Sequence, residues 1–186
     1  DARRIAEQYG LRLSPEASQC LERETPKVLD NVETLITGSV RELCAAASAA
    51  CRELGYEPVL LTDSLDCEAR EAGAFLAAVA RAHQDTDCSL AFLAGGETVV
   101  HLTGSGLGGR NQELALSAAA GIAGLEDTAV FSLGSDGTDG PTDAAGGFVD
   151  GGTKERLARQ GVRIFEVLKN NDAYHALAAC GGLLHT

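Results

Sequence analysis

The chain has 186 residues, of which 45% are hydrophobic and 23% are charged, and its formal net charge at pH 7 is −12. This size and composition predict a globular protein with one sizeable core or two small ones, and they argue against disorder. The acidic excess argues against a surface for nucleic acid or an anionic membrane, because either would need a basic patch. The sequence has no run of 18 apolar residues and no signal peptide, so we predict no membrane partner.

The six cysteines include no CxxC pair and no Cys/His cluster at metal-binding spacing. We interpret them as reduced thiols that pack as small apolar residues, which favours a cytoplasmic location. Methionine is missing altogether, even at position 1. Because translation begins with methionine, we expect the chain to be processed or to be a fragment of a longer parent.

Predicted helices and strands alternate along most of the chain. In chain order they are helices over 2–9 and 14–23, a strand over 32–37, a helix over 39–54, a strand over 58–61, a helix over 67–83, a strand over 89–93, a turn over 94–97 into an antiparallel strand over 98–103, a helix over 110–122, a strand over 128–133, an extended piece near Phe148, and helices over 153–160 and 171–179. This order predicts an α/β fold in three layers (α/β/α), with a mixed sheet that contains an antiparallel hairpin and has helices on both faces.

Residues 103–113, Thr-Gly-Ser-Gly-Leu-Gly-Gly-Arg-Asn-Gln-Glu, form a Gly-rich loop that opens a predicted helix. Glycine lets the backbone approach a ligand closely, and the start of a helix presents free N–H groups and a partial positive charge. The loop therefore indicates an anion site. Arg110 adds a fork of donors that suits phosphate or carboxylate, and Asn111 adds a neutral donor. The phosphate-binding candidates in the backbone are Gly104, Gly106, Gly108 and Gly109.

Two nucleotide-binding patterns nearly match this loop. Its glycines fit G-x-G-x-x-G, but the strand before them alternates and no acidic residue ends a strand about 20 residues further on. The loop also resembles a P-loop, with Arg110 in place of the lysine and Asn111 in place of the Ser or Thr that holds magnesium. A tight turn with a surface arginine is the alternative interpretation.

A second loop, residues 134–143, is rich in aspartate and follows an apolar strand, where open α/β sheets keep their ligands. Carboxylates packed this closely repel one another unless a cation or bound hydroxyl groups compensate them. Asp136 and Asp139 are therefore candidate ligands for Mg²⁺ or for orienting a substrate hydroxyl, with Thr138 as a neighbouring substrate-binding candidate. The individual role of Asp143 stays open. The alternative is a run of Asx turns.

Glu97 lies between two predicted strands, either as a substrate-binding residue that points toward the Gly-rich loop or as a turn residue. The segment 169–172, Lys-Asn-Asn-Asp, most simply caps the last helix, with an active-site role as the alternative. The four histidines share no spacing and are interpreted as surface or core residues.

Three segments together carry a family resemblance. Residues 93–98 (Leu-Ala-Gly-Gly-Glu-Thr), 106–116 (Gly-Leu-Gly-Gly-Arg-Asn-Gln-Glu-Leu-Ala-Leu) and 134–146 (Gly-Ser-Asp-Gly-Thr-Asp-Gly-Pro-Thr-Asp-Ala-Ala-Gly) closely resemble the MOFRL region of the class II glycerate kinases. The resemblance implies transfer of the ATP γ-phosphate to a hydroxyl of D-glycerate, usually giving 2-phosphoglycerate. Members are often labelled hydroxypyruvate reductases, a name that the poor dinucleotide pattern does not support.

The resemblance also implies an active site in a cleft between two domains. Family enzymes carry a catalytic lysine in the amino-terminal domain, facing the arginine that corresponds to Arg110 here. Residues 1–31 resemble the end of that amino-terminal domain, and residues 32–186 the α/β domain, with the MOFRL-like motifs at about 88–186. The lysine-bearing domain is absent, so we expect the chain alone to be an inactive half of the cleft.

Phosphoryl transfer depends on placement and charge neutralisation, which a glycine loop, an arginine and a carboxylate cluster can supply. We predict ATP and Mg²⁺ as cofactors, D-glycerate as substrate, and Arg110 as the residue that holds the glycerate carboxylate or the transferring phosphoryl group. An NAD(P)H-dependent hydroxypyruvate reductase and a non-catalytic binding module are the alternatives. The sequence leaves open the hydroxyl that is phosphorylated, the domain that binds adenine, and the oligomeric state, with a homodimer as one option.

Overall fold

The computed structural model describes residues 2–35 and 37–186, which form two compact units. The first unit ends at Thr37, and the second runs from Gly38 to Thr186. None of the described helices is long and apolar enough to cross a membrane. The assignment of residues 1–31 to the end of a preceding domain stays a prediction.

The first unit contains two short helices, α1 (Ala2–Gln8) and α2 (Pro15–Cys20). The Ser14 hydroxyl caps α2 by accepting a hydrogen bond from the Ala17 N–H at 3.2 Å, as expected of serine before a first-turn proline. The strand predicted over 32–37 is wrong where it can be tested, because residues 32–35 and 37 form none, while Ile36 lies outside the described residues.

The second unit alternates strands and helices through its first part and then has three short helices before a final two-residue strand. The helices are α3 (Val40–Glu53), α4 (Ala69–Ala82), α5 (Arg110–Gly121), α6 (Thr153–Arg159), α7 (Ile164–Lys169) and α8 (Ala173–Cys180); the strands are β1 (Glu57–Leu65), β2 (Leu90–Gly96), β3 (Ala129–Leu133), β4 (Gly146–Asp150) and β5 (Leu183–Leu184). These bounds agree with the predicted elements to within a few residues, except that α7 and β5 were not predicted and β1 and β2 are longer than predicted.

The strands form two sheets. β1 and β2 pair in parallel, whereas β3, β4 and β5 form an antiparallel sheet in that order. The prediction of an α/β fold with parallel and antiparallel pairing and flanking helices is confirmed. The predicted single mixed sheet is replaced by these two sheets.

The antiparallel hairpin predicted at 94–103 is wrong. β2 continues to Gly96, and Val99 makes an isolated parallel bridge with Glu68 at the start of α4. The backbone of Val99 donates to the Cys67 carbonyl and accepts from the Ala69 N–H, so this segment is held by a helix start and not by β2. The hairpin of the fold is formed by β3 and β4.

Helix α5 is the centre of the second unit. Eight of its twelve residues are buried, including Leu116, which has no exposed surface. It packs against α4, the β3–β4 sheet, and the three carboxy-terminal helices. The approach to α4 is close because that helix presents Ala72, Gly73 and Ala77, and a Cβ on Gly73 would overlap the Leu114 carbonyl. The core therefore fixes α5, and with it the residue at its start, Arg110.

Candidate functional site

The Gly-rich loop and the aspartate-rich loop meet at the start of α5. The aspartate-rich loop joins β3 to β4, while the Gly-rich loop leads into α5. A Cβ on Gly109 would overlap the Asp139 carboxylate, and one on Gly140 would lie 2.6 Å from the Gly108 carbonyl oxygen. The two loops are thus in direct backbone contact, which requires glycine at these positions.

Asp139 caps α5 from outside the helix. Its side chain accepts from the backbone N–H of Asn111 at 3.1 Å and of Gln112 at 2.9 Å, and from the Asn111 amide at 3.0 Å. Asp139 is only 1% exposed, and Gly109, at the N-cap position, has no side chain to do this work. Three of the roughly four acceptor positions of this carboxylate are used inside the fold. The role of Asp139 as a metal ligand stays a prediction, and few acceptor positions of its carboxylate are left for a metal ion.

Arg110 is the first residue of α5, and its guanidinium forms an ion pair of 3.1 Å with Glu97. The side chains of Arg110 and Glu97 are 41% and 78% exposed. Glu97 thus points at the start of α5, as one of the two interpretations of the sequence expected. An ion pair this exposed stabilises the fold by less than about 1 kcal/mol. An anion from solution can therefore displace Glu97 from the guanidinium.

Asn111 turns into the protein. Its amide nitrogen donates to Asp139, its amide oxygen accepts from the Ser132 hydroxyl at 2.6 Å, and only 9% of the residue is exposed. This side chain ties the start of α5 to β3. Its predicted contact with a ligand stays a prediction, but both polar ends already have partners in the fold.

The backbone N–H groups of residues 103–107, the first part of the Gly-rich loop, donate to the turn between α7 and α8. The acceptors are Asn170, Asn171 and Asp172. The N–H groups of Thr103 and Gly104 donate to the Asn171 side chain at 2.8 and 2.9 Å, that of Ser105 to the Asn170 side chain at 3.2 Å, that of Gly106 to the Asn170 carbonyl at 2.8 Å, and that of Leu107 to the Asp172 carboxylate at 2.9 Å.

The first two glycines of this loop have a packing role. A Cβ on Gly104 would overlap the backbone of Asn170, and one on Gly106 would lie 2.6 Å from the Asn170 carbonyl oxygen. The amides of both glycines are donated within the fold, which corrects the expectation that they are free to cradle a phosphate. Among the described residues, the neighbouring N–H groups without a partner are those of Gly108, Gly109 and Arg110. The predicted anion site is therefore narrowed to the end of the loop.

The other candidates of the aspartate-rich loop are exposed. The Asp136 carboxylate accepts from the Thr138 N–H at 3.2 Å, which is the Asx turn of the alternative interpretation. Asp143 accepts from the Tyr174 hydroxyl at 2.8 Å, and this hydrogen bond raises the pKa of Tyr174. Within residues 2–35 and 37–186, no group of three or more His, Cys, Asp or Glu side chains is arranged to hold a metal ion.

Two polar residues around the Gly-rich loop, Arg70 and Glu113, are not among the candidates from the sequence. Asn171 and Asp172 belong to the segment 169–172, for which the sequence left two interpretations open. Asp172 is the N-cap residue of α8, as the capping interpretation of 169–172 expects, but its side chain accepts from the Leu107 N–H of the Gly-rich loop and makes no cap bond to α8. The active-site role of the segment stays a prediction. Burial alone would raise the pKa of Asp172, but the Leu107 N–H and His175 outweigh it, and the pKa lies below the usual value. A run of short polar residues between two helices is the one sequence signal that could have pointed to this contact.

The chain was then compared with known proteins. The model of the MOFRL family matches residues 90–186, just over half of the chain. The chain therefore belongs to the MOFRL family.

Several relatives are named as glycerate kinases, and two others, from Agrobacterium vitis, as putative hydroxypyruvate reductases. The chain is 48% identical to a D-glycerate 2-kinase of Thermotoga maritima over 190 residues, and 36% identical to a glycerate 2-kinase of Pyrococcus horikoshii over 201 residues. It also matches a crystal structure of a glycerate kinase from Thermotoga maritima with a TM-score of 0.78 and 47% identity. Each comparison covers 100% of this chain and 46% of the other. The chain thus spans about half the length of the proteins it matches.

We expect Asp139→Ala to destabilise the second unit. The change leaves two buried N–H groups at the start of α5 without an acceptor, a loss of about 2–4 kcal/mol in the free energy of unfolding. Urea unfolding followed by circular dichroism measures it. Asp136→Ala, in the same loop but exposed, is the matched control and should change stability by less than about 0.5 kcal/mol. Equal effects of the two substitutions would contradict the capping role of Asp139.

Proposed function

We propose that this chain forms the arginine-bearing part of an ATP-dependent glycerate kinase, which transfers the γ-phosphate of ATP to a hydroxyl of D-glycerate, giving 2-phosphoglycerate. Family membership and the names of the relatives support the reaction class. The observation that carries the proposal within this chain is the placement of Arg110, a half-exposed guanidinium at the first residue of a buried helix.

Arg110 suits an anion for three physical reasons. The start of α5 adds a partial positive charge, and the backbone N–H groups of Gly108, Gly109 and Arg110, which lead into the helix, have no acceptor among the described residues. The helix that carries it is fixed by the core, so little backbone freedom is lost on binding. Its partner Glu97 is exposed and weakly held. A carboxylate of glycerate or a transferring phosphoryl group can therefore replace Glu97.

The residues at this site suit Mg²⁺ held by a single protein carboxylate, not by a cluster of carboxylates. In kinases the ion takes one or two carboxylates and completes its shell with water and substrate phosphates, where it neutralises phosphate charge. Asp136, which is exposed and makes one backbone contact, is the residue that would hold it. Asp139 is the weaker candidate because its carboxylate is buried and already accepts three hydrogen bonds.

The remaining half of the cleft is expected from the part of the relatives that this chain does not span. In the proposed arrangement, a lysine from an amino-terminal domain faces Arg110, and that domain is the partner of this chain. The reductase alternative has less support, because the loop glycines have packing roles at Gly104 and Gly106 and the dinucleotide pattern is incomplete.

The full-length protein should phosphorylate D-glycerate with ATP and Mg²⁺. Coupled detection of ADP, together with identification of the product by NMR, measures the reaction and tells which hydroxyl is phosphorylated.

Light scattering on the same preparation gives the oligomeric state and tests for a homodimer. NADH-dependent reduction of hydroxypyruvate at a comparable rate, without ADP formation from glycerate, would refute the kinase and favour the reductase.

The 186-residue chain alone should show no measurable kinase activity. The physical reason is that Arg110 and the amides beside it offer one wall of an anion site, while in-line transfer needs groups on both sides of the phosphate. A purified preparation of the chain, assayed with ATP, Mg²⁺ and D-glycerate at the detection limit of the coupled assay, tests this. Turnover that follows the chain through a second purification step would show that it holds a complete site.

Arg110→Ala in the full-length protein should lower kcat/KM on the order of 100-fold or more without lowering the melting temperature. It removes a charge-assisted contact to the reacting anion, and an exposed ion pair with Glu97 contributes little to stability. Arg110→Lys should restore only part of the rate, because an ammonium lacks the planar fork.

The matched control for this substitution is Arg159→Ala at the end of α6, which removes another exposed arginine ion pair, that with Glu155 in the first turn of the same helix. Its kcat/KM should stay within about twofold of wild type. Near-normal activity of Arg110→Ala, or a loss explained by unfolding in thermal melts, would remove Arg110 from the site.

A further inference from the structure

Asn171 occupies the turn between α7 and α8 with a left-handed backbone conformation, φ +53°. The residue is 5% exposed, and every polar atom of its side chain has a partner in the fold. Its oxygen accepts from the N–H groups of Thr103 and Gly104, and its nitrogen donates to the Glu113 carboxylate at 3.0 Å and to the His101 carbonyl at 3.2 Å. One carboxamide therefore joins the start of the Gly-rich loop to helix α5.

The contact on α5 is itself fixed. Glu113 lies in the first turn of the helix, three residues after Arg110, and its side chain is 3% exposed. Its other carboxylate oxygen receives the Arg70 guanidinium of α4 at 3.1 Å. A buried carboxylate that is paired in this way has little freedom to move. Asn171 is thus anchored to the same helical turn that carries Arg110.

We propose that Asn171 is a positioning residue, which holds the Gly-rich loop against the first turn of α5 and thereby sets the direction of the Arg110 side chain and of the amides of Gly108 and Gly109. The role of the loop is then mechanical over residues 103–107 and ligand-facing only over 108–110. This inference rests on the proposed function of Arg110. A residue that only served the left-handed turn would need no such side-chain contacts, because glycine adopts that backbone readily.

The substitution that separates the two roles is Asn171→Gly. Glycine keeps the left-handed backbone and removes the carboxamide. In the full-length protein we expect kcat to fall about 10- to 100-fold at a temperature well below the melting transition, since a misplacement near 1 Å costs about that much. Gln160→Ala, which also removes one amide hydrogen bond to a backbone carbonyl, that of Ala179, is the control and should keep wild-type kinetics within about twofold.

A paired substitution tests the contact itself. Asn171→Asp keeps an acceptor for Thr103 and Gly104 but places a second carboxylate against Glu113, so kcat should fall by a similar factor. Adding Glu113→Gln supplies a donor in the reverse direction and leaves the local net charge unchanged. The double variant Asn171→Asp/Glu113→Gln should recover part of the lost rate. A double variant no better than Asn171→Asp would contradict the proposal, and the same pair decides the matter if Asn171→Gly does not fold.

A positioning role also predicts coupling with Arg110. In an Arg110→Ala background, the Asn171→Gly penalty should shrink several-fold, because only the amides of Gly108 and Gly109 are then left to misplace. A penalty of full size in that background would show that Asn171 does not act through Arg110 and would overturn the proposal.

Amide hydrogen exchange separates this inference from the kinase proposal. In wild-type full-length protein the N–H groups of Thr103 and Gly104 should be protected, and Asn171→Gly should expose them while the amides of α5 stay protected. If the protein does not phosphorylate glycerate, the proposed function fails, yet the exchange result still tells whether Asn171 holds the loop. Unchanged protection at both amides would overturn the inference whatever the enzyme assay shows.

Discussion

The described site depends on one helix beginning inside the protein. Helix α5 is surrounded by other elements, so the N–H groups of its buried first-turn residues Asn111 and Gln112 need an acceptor within the protein. Asp139 supplies it for both from a loop 27 to 28 residues further along the chain. That single carboxylate joins the aspartate-rich loop to α5. It fits there only because residue 109 is a glycine, since a Cβ at that position would overlap it. The Gly-rich loop and the aspartate-rich loop, which the sequence predicts to bind ligands, are therefore one structural unit.

This arrangement divides the polar groups into those that build the site and those that face outward. Asn111, Asp139 and Asn171 are buried and have partners on other elements. Arg110 and Asp136 are accessible to solvent. Sequence motifs do not distinguish the two groups, since asparagine, aspartate and glycine serve both tight packing and ligand binding. Burial and hydrogen-bond partners do distinguish the two groups. By these criteria, fewer residues are free to face a ligand than the sequence motif includes.

Local signals predicted much of the fold. Ser14 before Pro15 gave the start of α2, and Arg110 was placed at the start of α5 from the glycines before it. The alternation over 98–103 predicts a strand wrongly, because a segment held by a helix start can also place a buried Thr98 beside an exposed Val99. The contacts of Asn171 could not be predicted, since its partners lie about 60 to 70 residues away and its left-handed backbone is set by the turn between two helices.

The pair of Glu97 and Arg110 has a thermodynamic consequence. An anion that takes the guanidinium releases the Glu97 carboxylate, so the local charge becomes more negative by the charge of the incoming ligand, with a free carboxylate beside it. Such a site attracts a divalent cation more strongly once the anion is bound than before. By linkage, the cation must then strengthen anion binding by the same factor. In the proposed site, an internal counterion on Arg110 would thus make the binding of the anion and of the cation mutually dependent before any chemistry begins.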